Sequence, residues 1–427
     1  MEKKYTAEGG VSVYTYKNPA LHGFYISLFL RGGSMYEGDD ERGITHFLEH
    51  ALVRNVNKRH GYKLYSELDR YGMEFNASTY SEMVQFYVSG AEKNFARGAD
   101  IISEILTPII LDRSEIDTER RRIKAEIREG DDRTSLSTFS MQTVFSGTSL
   151  SGTITGTAAG VDKFTLRRLE EYRQRAFISE NVFFYITGNF SDADVDYLLS
   201  LISKRGIRRA DSQKEIHTNM APVPHNFLKR GAEIAIKNAD YTTVRFTFDI
   251  DMKSVPSQAV DLIYDILLAG YNSPFFIEMS EERGLFYDIS GATERYRNIG
   301  ILHFTYEVKE KNLYDAVEMS VKILKDFKSK LLDREECMKA GYVDNAHLLY
   351  DDSREFNFTF AYDGHIMELG YGSIEDRINS YKNITPEAIR RCACEIFRTD
   401  ALTLTLKGNK KKIDCERLKI ILKELDF

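Results

Sequence analysis

The hydrophobic and polar positions of the chain run through one order of predicted elements twice. Apolar residues at helical spacing predict two consecutive helices, two largely apolar strands follow, and a further helix closes each series. Gly72 and Gly284 end equivalent helices, where a left-handed cap favours glycine. The repeat indicates an ancient duplication. The predicted elements are helices 44–54 and 62–71, strands 73–79 and 83–90 and helix 95–109 in the first half, and helices 257–269 and 274–282, strands 285–292 and 300–308 and helix 313–329 in the second.

A polar segment without hydrophobic periodicity separates the two halves. It carries Pro222 and Pro224, which interrupt regular structure. Further strands are predicted at 11–16 and 182–187 before this segment, and at 241–250 and 402–406 after it. We therefore predict a first domain over 1–208, a linker over 209–226 and a second domain over 227–427.

Composition narrows the class of protein. The 427 residues are 42% hydrophobic and 29% charged, as in a globular protein. No apolar run approaches the roughly 18 residues of a membrane span, and residues 1–5 are polar and lack a signal-peptide core. The net charge of −7 argues against a nucleic-acid partner, and four cysteines form no disulfide framework. We expect a cytoplasmic protein.

The most specific chemical pattern is H-x-x-E-H, formed by His46, Glu49 and His50. Residues i and i+4 of a helix share a face, so both imidazoles point the same way and can hold one Zn²⁺. Glu49 lies on that face, where a carboxylate can take a proton from water and pass it to a leaving amine. The order of residues is the inverted zinc-peptidase signature. The alternative is an amphipathic helix whose polar face is solvated.

A zinc site of this kind needs a third protein ligand. Segment 113–129 reads as a long charged helix and carries Glu119 and Glu126, seven residues apart and so nearly on one face. The alternative for both glutamates is a solvated helix face.

With these motifs the chain resembles the pitrilysin/insulinase family of inverted-motif zinc peptidases, in particular its processing-peptidase-like members. The resemblance implies that His46, His50 and Glu126 are the ligands of one Zn²⁺ ion and that Glu49 is the general base. Glu119 would orient a ligand. The resemblance also implies an α+β fold of two homologous domains, each a mostly antiparallel sheet covered by helices.

The second half lacks the metal motif. When the halves are aligned on their two cap glycines, Gln258, Asp261 and Leu262 occupy the positions of the H-x-x-E-H residues. The second domain is therefore predicted to keep the scaffold without the site, as expected for a function grafted onto one copy of a fold.

Two further segments match family motifs that handle substrate. Segment 75–79 resembles the N-A-x-T strand, which implies that Asn76 and Ala77 bind an extended peptide by strand pairing. Segment 283–287 resembles the G-L-x-Y stretch, which implies that the Tyr287 hydroxyl binds the scissile carbonyl and its oxyanion. The alternatives are an ordinary turn or strand-end residue for Asn76 and an ordinary strand aromatic for Tyr287.

One departure from the family pattern bears on assembly. The family usually has an Arg seven residues before that Tyr, and here the position is Ser280, while Arg283 lies at the wrong spacing. Because some relatives are heterodimers, the resemblance implies a partner subunit of similar fold that supplies the Arg and Tyr. A homodimer is the competing possibility.

These observations predict a zinc-dependent endopeptidase that hydrolyses unfolded peptides or leader segments as one subunit of a dimer. Two alternatives stay open at this point. One is a dedicated maturation peptidase for a ribosomally made peptide, and the other is a non-catalytic structural or binding subunit.

Overall fold

A computed structural model describes residues 1–130, 135–224, 233–330 and 352–426, together with Leu348 and Tyr350. The strands are β1 (Lys3–Thr6), β2 (Ser12–Lys17), β3 (Gly23–Arg31), β4 (Glu74–Thr79), β5 (Met83–Ala91), β6 (Val182–Gly188), β7 (Glu233–Asn238), β8 (Thr242–Asp251), β9 (Ile289–Arg295), β10 (Ile299–Val308) and β11 (Leu402–Gly408).

The α-helices alternate with these strands. They are α1 (Ile44–Arg59), α2 (Leu64–Tyr71), α3 (Phe95–Ser103), α4 (Arg113–Glu129), α5 (Leu136–Val144), α6 (Ala158–Val161), α7 (Leu166–Ala176), α8 (Asp192–Arg205), α9 (Ser257–Leu268), α10 (Leu313–Ser329), α11 (Ser353–Ala361), α12 (Ile374–Lys382), α13 (Pro386–Ile396) and α14 (Cys415–Lys423). Residues Phe276–Glu281 and Tyr362–Ile366 form π-helical turns. No helix within the described residues is both long and apolar enough to cross a membrane.

Each half of the duplication builds one sheet, and the two sheets have the same plan. The strand order is β1-β2-β6-β3-β5-β4 in the first and β7-β11-β8-β10-β9 in the second. In both, one parallel pair (β2 with β6, β7 with β11) adjoins an otherwise antiparallel sheet. The predicted fold class, α+β with two homologous, mostly antiparallel domains, is confirmed.

The described residues pack into two compact units that do not follow the chain continuously. The first unit contains residues 1–130, 152–219 and 352–374, so it includes α11 from the second half. The second contains residues 135–151, 220–224, 233–330 and 375–426, and so includes α5 from the first half. We call α5 and α11 the exchanged helices, because each packs in the unit formed mainly by the other half of the chain. The predicted domains 1–208 and 227–427 are continuous and do not include this exchange, and their boundaries stay a prediction. The predicted linker is described over residues 209–224, which contain one short 3₁₀ helix, Gln213–Glu215. Residues 225–226 of the linker lie outside the described residues.

The exchanged helices cover the sheet faces opposite the main helical layers. In the first unit, Asn357 of α11 donates to the backbone oxygens of Tyr25 (3.3 Å) and Tyr185 (2.9 Å) on neighbouring strands. In the second unit, the Oγ of Ser140 on α5 lies 3.1 Å from Oγ1 of Thr247 on β8. A buried polar group without a hydrogen-bond partner lowers the stability of the fold. These hydrogen bonds therefore favour the observed position of each helix on its sheet.

The helical layer of each unit buries an apolar core against its sheet. In the second unit apolar and polar residues alternate along β8, and Val244, Phe246 and Phe248 lie in the core cluster with α9 and α10. The polar residues between them are buried as well. In the first, β3 is buried along most of its length because both of its faces are covered, and its apolar run is nearly continuous.

Several predicted elements differ from expectation. Helix 44–54 continues to Arg59, and most of helix 274–282 is the π-helical turn Phe276–Glu281. Helix 95–109 stops at Ser103 and continues only as a 3₁₀ turn to Leu106, because the residue before Pro108 disfavours helical backbone. Strand 285–292 begins only at Ile289. There the Leu285 N–H bonds back to Met279 O (2.9 Å) and Gly284 has φ 57°, so the chain is still leaving the π-helical turn.

Candidate active site

Helix α1 places the three motif residues on one face, as the i, i+3 and i+4 spacing requires. The ring centroids of His46 and His50 are 4.7 Å apart. The His46 side chain is buried, with 8% exposed, and that of His50 is largely so. Both rings therefore face the interior of a cleft and not bulk water.

Helix α4 brings Glu126 to these imidazoles. Its two carboxylate oxygens lie 3.5 Å from Nε2 of His46 and 3.5 Å from Nε2 of His50. Those distances are long for direct hydrogen bonds. Each is close to the separation of about 3.4 Å between two ligand atoms around a tetrahedral Zn²⁺ with bonds of about 2.05 Å. The two distances involve different oxygens of the carboxylate. Donor atoms of the three residues all lie within 4.8 Å of one another.

The donor set fits zinc by chemistry, and its atoms lie close enough together to surround one ion. Two imidazole nitrogens and one carboxylate are the ligands of many catalytic zinc sites, which leave a fourth position open. The prediction that His46, His50 and Glu126 bind the metal is compatible with this geometry and stays a prediction.

Glu119 contacts His50 at Nδ1, the ring nitrogen that does not face Glu126. It is fully buried and accepts from Arg54 Nη1 at 2.8 Å, while its other oxygen lies 3.3 Å from His50 Nδ1. Burial alone would raise the pKa of Glu119, but the contacts with His50, Arg54 and Arg122 outweigh burial and lower it. The carboxylate is thus ionised at neutral pH and suited to orient the His50 ring.

The two histidines are held in different ways. Nδ1 of His46 is buried and has no hydrogen-bond partner among the described residues, whereas Nδ1 of His50 has Glu119. A metal-binding histidine is normally fixed through its second nitrogen. On its Nδ1 side, the His46 ring is therefore positioned by packing and by the backbone of α1.

Glu49 is oriented by the strand beside the helix. The hydroxyl of Thr79, the last residue of β4, donates to a carboxylate oxygen of Glu49 at 2.8 Å. This bond leaves the other oxygen free to accept a proton within the cleft. The placement agrees with the predicted role of Glu49 as general base, and that role stays a prediction.

The cleft has a volume of about 590 Å³ and is bordered by α1, α4, β4 and residues 154–155. Gly156 packs directly on the start of α1, since a Cβ on Gly43 would lie 2.8 Å from Gly156 Cα. The glycine-rich stretch around it, which lacks the G-K-[ST] of a phosphate loop, thus forms one wall of the site.

Strand β4 is the edge of its sheet and pairs only with β5 among the described strands. An edge strand of this kind can pair with an added strand. Asn76 is exposed and its Oδ1 accepts from the Ala77 N–H at 2.9 Å, so the amide side chain lies along the strand. Asn76 and Ala77 both line the cleft, and their role in substrate binding stays a prediction.

The predicted residues of the second half belong to the second unit. Tyr287 is 95% exposed, and its catalytic role stays a prediction. Ser280 donates to Phe286 O at 3.0 Å, and Arg283 donates to Glu278 O at 2.7 Å. Both side chains are used to hold the local turn.

The second-unit counterparts of the motif residues serve packing. Leu262 is buried in the core, and Asp261 accepts from Arg295 at 2.8 Å and from the Tyr381 hydroxyl at 2.7 Å. Among the described residues, the group able to hold a metal is the one on α1 and α4.

Sequence reasoning missed the residues that support the site. Arg54 lies four residues after His50, so the same i, i+4 rule that found the motif could have found it. Thr79 was part of the strand motif, but nothing in its spacing connected it to Glu49. The contacts themselves, of Arg54 with Glu119 and of Thr79 with Glu49, join residues far apart in the sequence and are visible only in the structure.

Replacing Glu119 with glutamine should weaken zinc binding about 10- to 100-fold, as loss of an outer hydrogen-bond partner does. The amide keeps the size of the side chain but cannot give His50 and Arg54 a negative charge. Zinc affinity can be measured by competition with a chromogenic chelator. Glu129→Gln, an exposed site on the same helix, is the control, and equal affinity of the two variants would contradict the role of Glu119.

A helix that carries H-x-x-E-H and meets a glutamate from a second helix, in one copy of a duplicated α+β fold, is the arrangement of the inverted-motif metallopeptidases. The model of the family Insulinase (Peptidase family M16) matches residues 12–158, and the model Peptidase M16 inactive domain matches residues 163–340. The chain belongs to this family, and the predicted family is confirmed.

Relatives support the same assignment. An uncharacterized zinc protease of Mycobacterium tuberculosis is 22% identical over 426 residues, covering 96% of this chain and 94% of that protein. The structure of a protease from Helicobacter pylori matches with a TM-score of 0.80 at 17% identity, covering 95% and 99% of the two chains. A chain of Complex III2 from Candida albicans matches with a TM-score of 0.80 at 16% identity, covering 98% and 99%. At these identities the solved structures show the fold alone.

Proposed function

We propose that this protein is a zinc-dependent endopeptidase that hydrolyses peptide bonds in unfolded peptides or leader segments. The observation that carries the proposal is the convergence of His46, His50 and Glu126 beside Glu49. The names of relatives as zinc proteases agree with it.

The residues divide the work of hydrolysis. A Zn²⁺ ion held by His46, His50 and Glu126 would supply Lewis-acid polarisation of water and of the scissile carbonyl. Glu49 takes a proton from the attacking water and later gives it to the departing amine. Thr79 keeps Glu49 in place during both transfers.

Substrate selection follows from the edge strand. A peptide that adds to β4 gains backbone hydrogen bonds with little dependence on its sequence. Only an extended, unfolded segment offers such a backbone, so folded proteins are poor substrates. Tyr287 is the proposed second catalytic residue, which binds the developing oxyanion when no partner subunit supplies a Tyr.

We further propose that the enzyme works as a dimer, and that a heterodimer with a subunit of similar fold supplies an Arg and Tyr. The support is that Ser280 and Arg283 are both engaged in their own turn and offer no free guanidinium at that position. The Candida match, a chain of a larger complex, shows that this fold occurs within assemblies. We propose the cytoplasm as the compartment, because the described cysteines are unpaired.

Metal removal tests the function. The purified chain should bind one zinc per molecule, cleave members of an unstructured peptide library, lose cleavage in a chelator and regain it when zinc is restored. A chain that binds no zinc and cleaves nothing, alone or with a candidate partner subunit, would overturn the proposal. Strong turnover by the monomer alone would contradict only the obligatory partner.

A further inference from the structure

Helix α1 begins without a side-chain cap of its own. Its N-cap residue is Gly43, which has φ 90° and no side chain to accept a hydrogen bond. The first N–H groups of a helix have no partner within the helix and need one from elsewhere. This start lies directly before the metal motif, so its partner affects the site.

Glu37, six residues upstream, supplies that partner. One carboxylate oxygen accepts from the Gly43 N–H at 2.8 Å and the other from the Thr45 N–H at 2.9 Å. The residue is 6% exposed. Burial raises the pKa of Glu37 to about 7, and the two N–H donors oppose that rise. Above this pH the carboxylate also interacts favourably with the positive end of the helix dipole.

The Thr45 side chain adds a second anchor. Its hydroxyl lies 2.8 Å from the Tyr172 hydroxyl on α7. Thr45 is therefore held at its backbone by Glu37 and at its side chain by Tyr172. The next residue in the chain is His46.

His46 depends on this anchoring more than His50 does. Its second ring nitrogen has no partner in the described structure, and it has no counterpart to Glu119. Apart from the contact of its Nε2 with Glu126, its ring is placed by the backbone from which it projects and by its packing. A shift of the first turn of α1 would displace His46 first.

We propose that Glu37 is a positioning residue for the metal centre, which fixes the first turn of α1 and thereby sets the His46 imidazole in its ligating orientation. The inference rests on the proposed function only in requiring that the site bind a divalent metal.

The test uses Co²⁺, whose visible absorption bands report the geometry of its ligands. Wild type, Glu37→Gln, Glu37→Ala and the control Asp39→Asn are compared at pH 8, where the Glu37 carboxylate is mostly ionised. Asp39 lies in the same loop with its side chain 99% exposed. Spectra, dissociation constants for Co²⁺ and Zn²⁺ and the melting temperatures of the metal-free proteins are recorded.

We expect Glu37→Ala to bind Co²⁺ about 10- to 100-fold more weakly with an altered spectrum, as expected for an outer residue that orients a ligand. Glu37→Gln keeps one acceptor oxygen and should lie between Glu37→Ala and wild type, while Asp39→Asn should match wild type. If Glu37→Ala does not fold, Glu37→Gln decides alone. Wild-type spectra and affinities in the folded Glu37 variants, even with lowered melting temperatures, would overturn the positioning role. A wild type that binds neither metal would instead overturn the proposed function.

Discussion

Replacing Glu49 with glutamine should abolish peptide cleavage while leaving zinc content unchanged. Glutamine has the same shape and can still accept the hydrogen bond from Thr79. It cannot take a proton from water at neutral pH, and loss of a general base typically costs about 10²- to 10⁴-fold in rate. The three predicted ligands are untouched, so the metal should remain.

The measurement pairs zinc stoichiometry with the rate of cleavage of a fluorogenic peptide chosen from the library digest. Glu129→Gln, which removes a carboxylate from an exposed position, should keep wild-type rates. Cleavage by Glu49→Gln at the wild-type rate would exclude Glu49 as the base. Loss of zinc from the variant would show instead that Glu49 helps to hold the metal.

The second large effect is expected at Glu126. Replacing it with alanine should reduce zinc affinity by more than the roughly 100-fold upper range for outer residues, because a direct ligand is lost. Only two imidazoles would remain, and the partly exposed position of Glu126 lets water take its place without disturbing α4. Cleavage should fall with zinc occupancy.

Metal analysis after dialysis against a defined free-zinc buffer measures this loss. Circular dichroism checks that the variant is folded. Retention of one tightly bound zinc per chain in Glu126→Ala would show that another residue is the third ligand.

Local sequence signals predicted the elements that frame the site well. Helix α4 was predicted with its observed bounds, because its start is encoded locally: Asp112 and Glu115 form a capping box. The left-handed Gly72 and Gly284 were likewise recognisable as helix ends. Such features depend on a few neighbouring residues, which the sequence displays directly.

Features set by distant contacts were not predictable in the same way. The late start of β9 follows from the bond between Leu285 and Met279 in a π-helical turn, which has no periodic signature. The exchange of α5 and α11 between units depends on which sheet face each helix covers. Glu37 is close in sequence to α1, but its role is visible only once both oxygens are seen to meet the backbone.

The exchange of α5 and α11 also affects which fragments of the chain can be expressed as folded proteins. A fragment that ended after the first half would carry α5 without the strands it covers and would leave the outer side of its own sheet without α11. Those uncovered surfaces would favour aggregation. We therefore expect that neither half of the chain folds when expressed by itself.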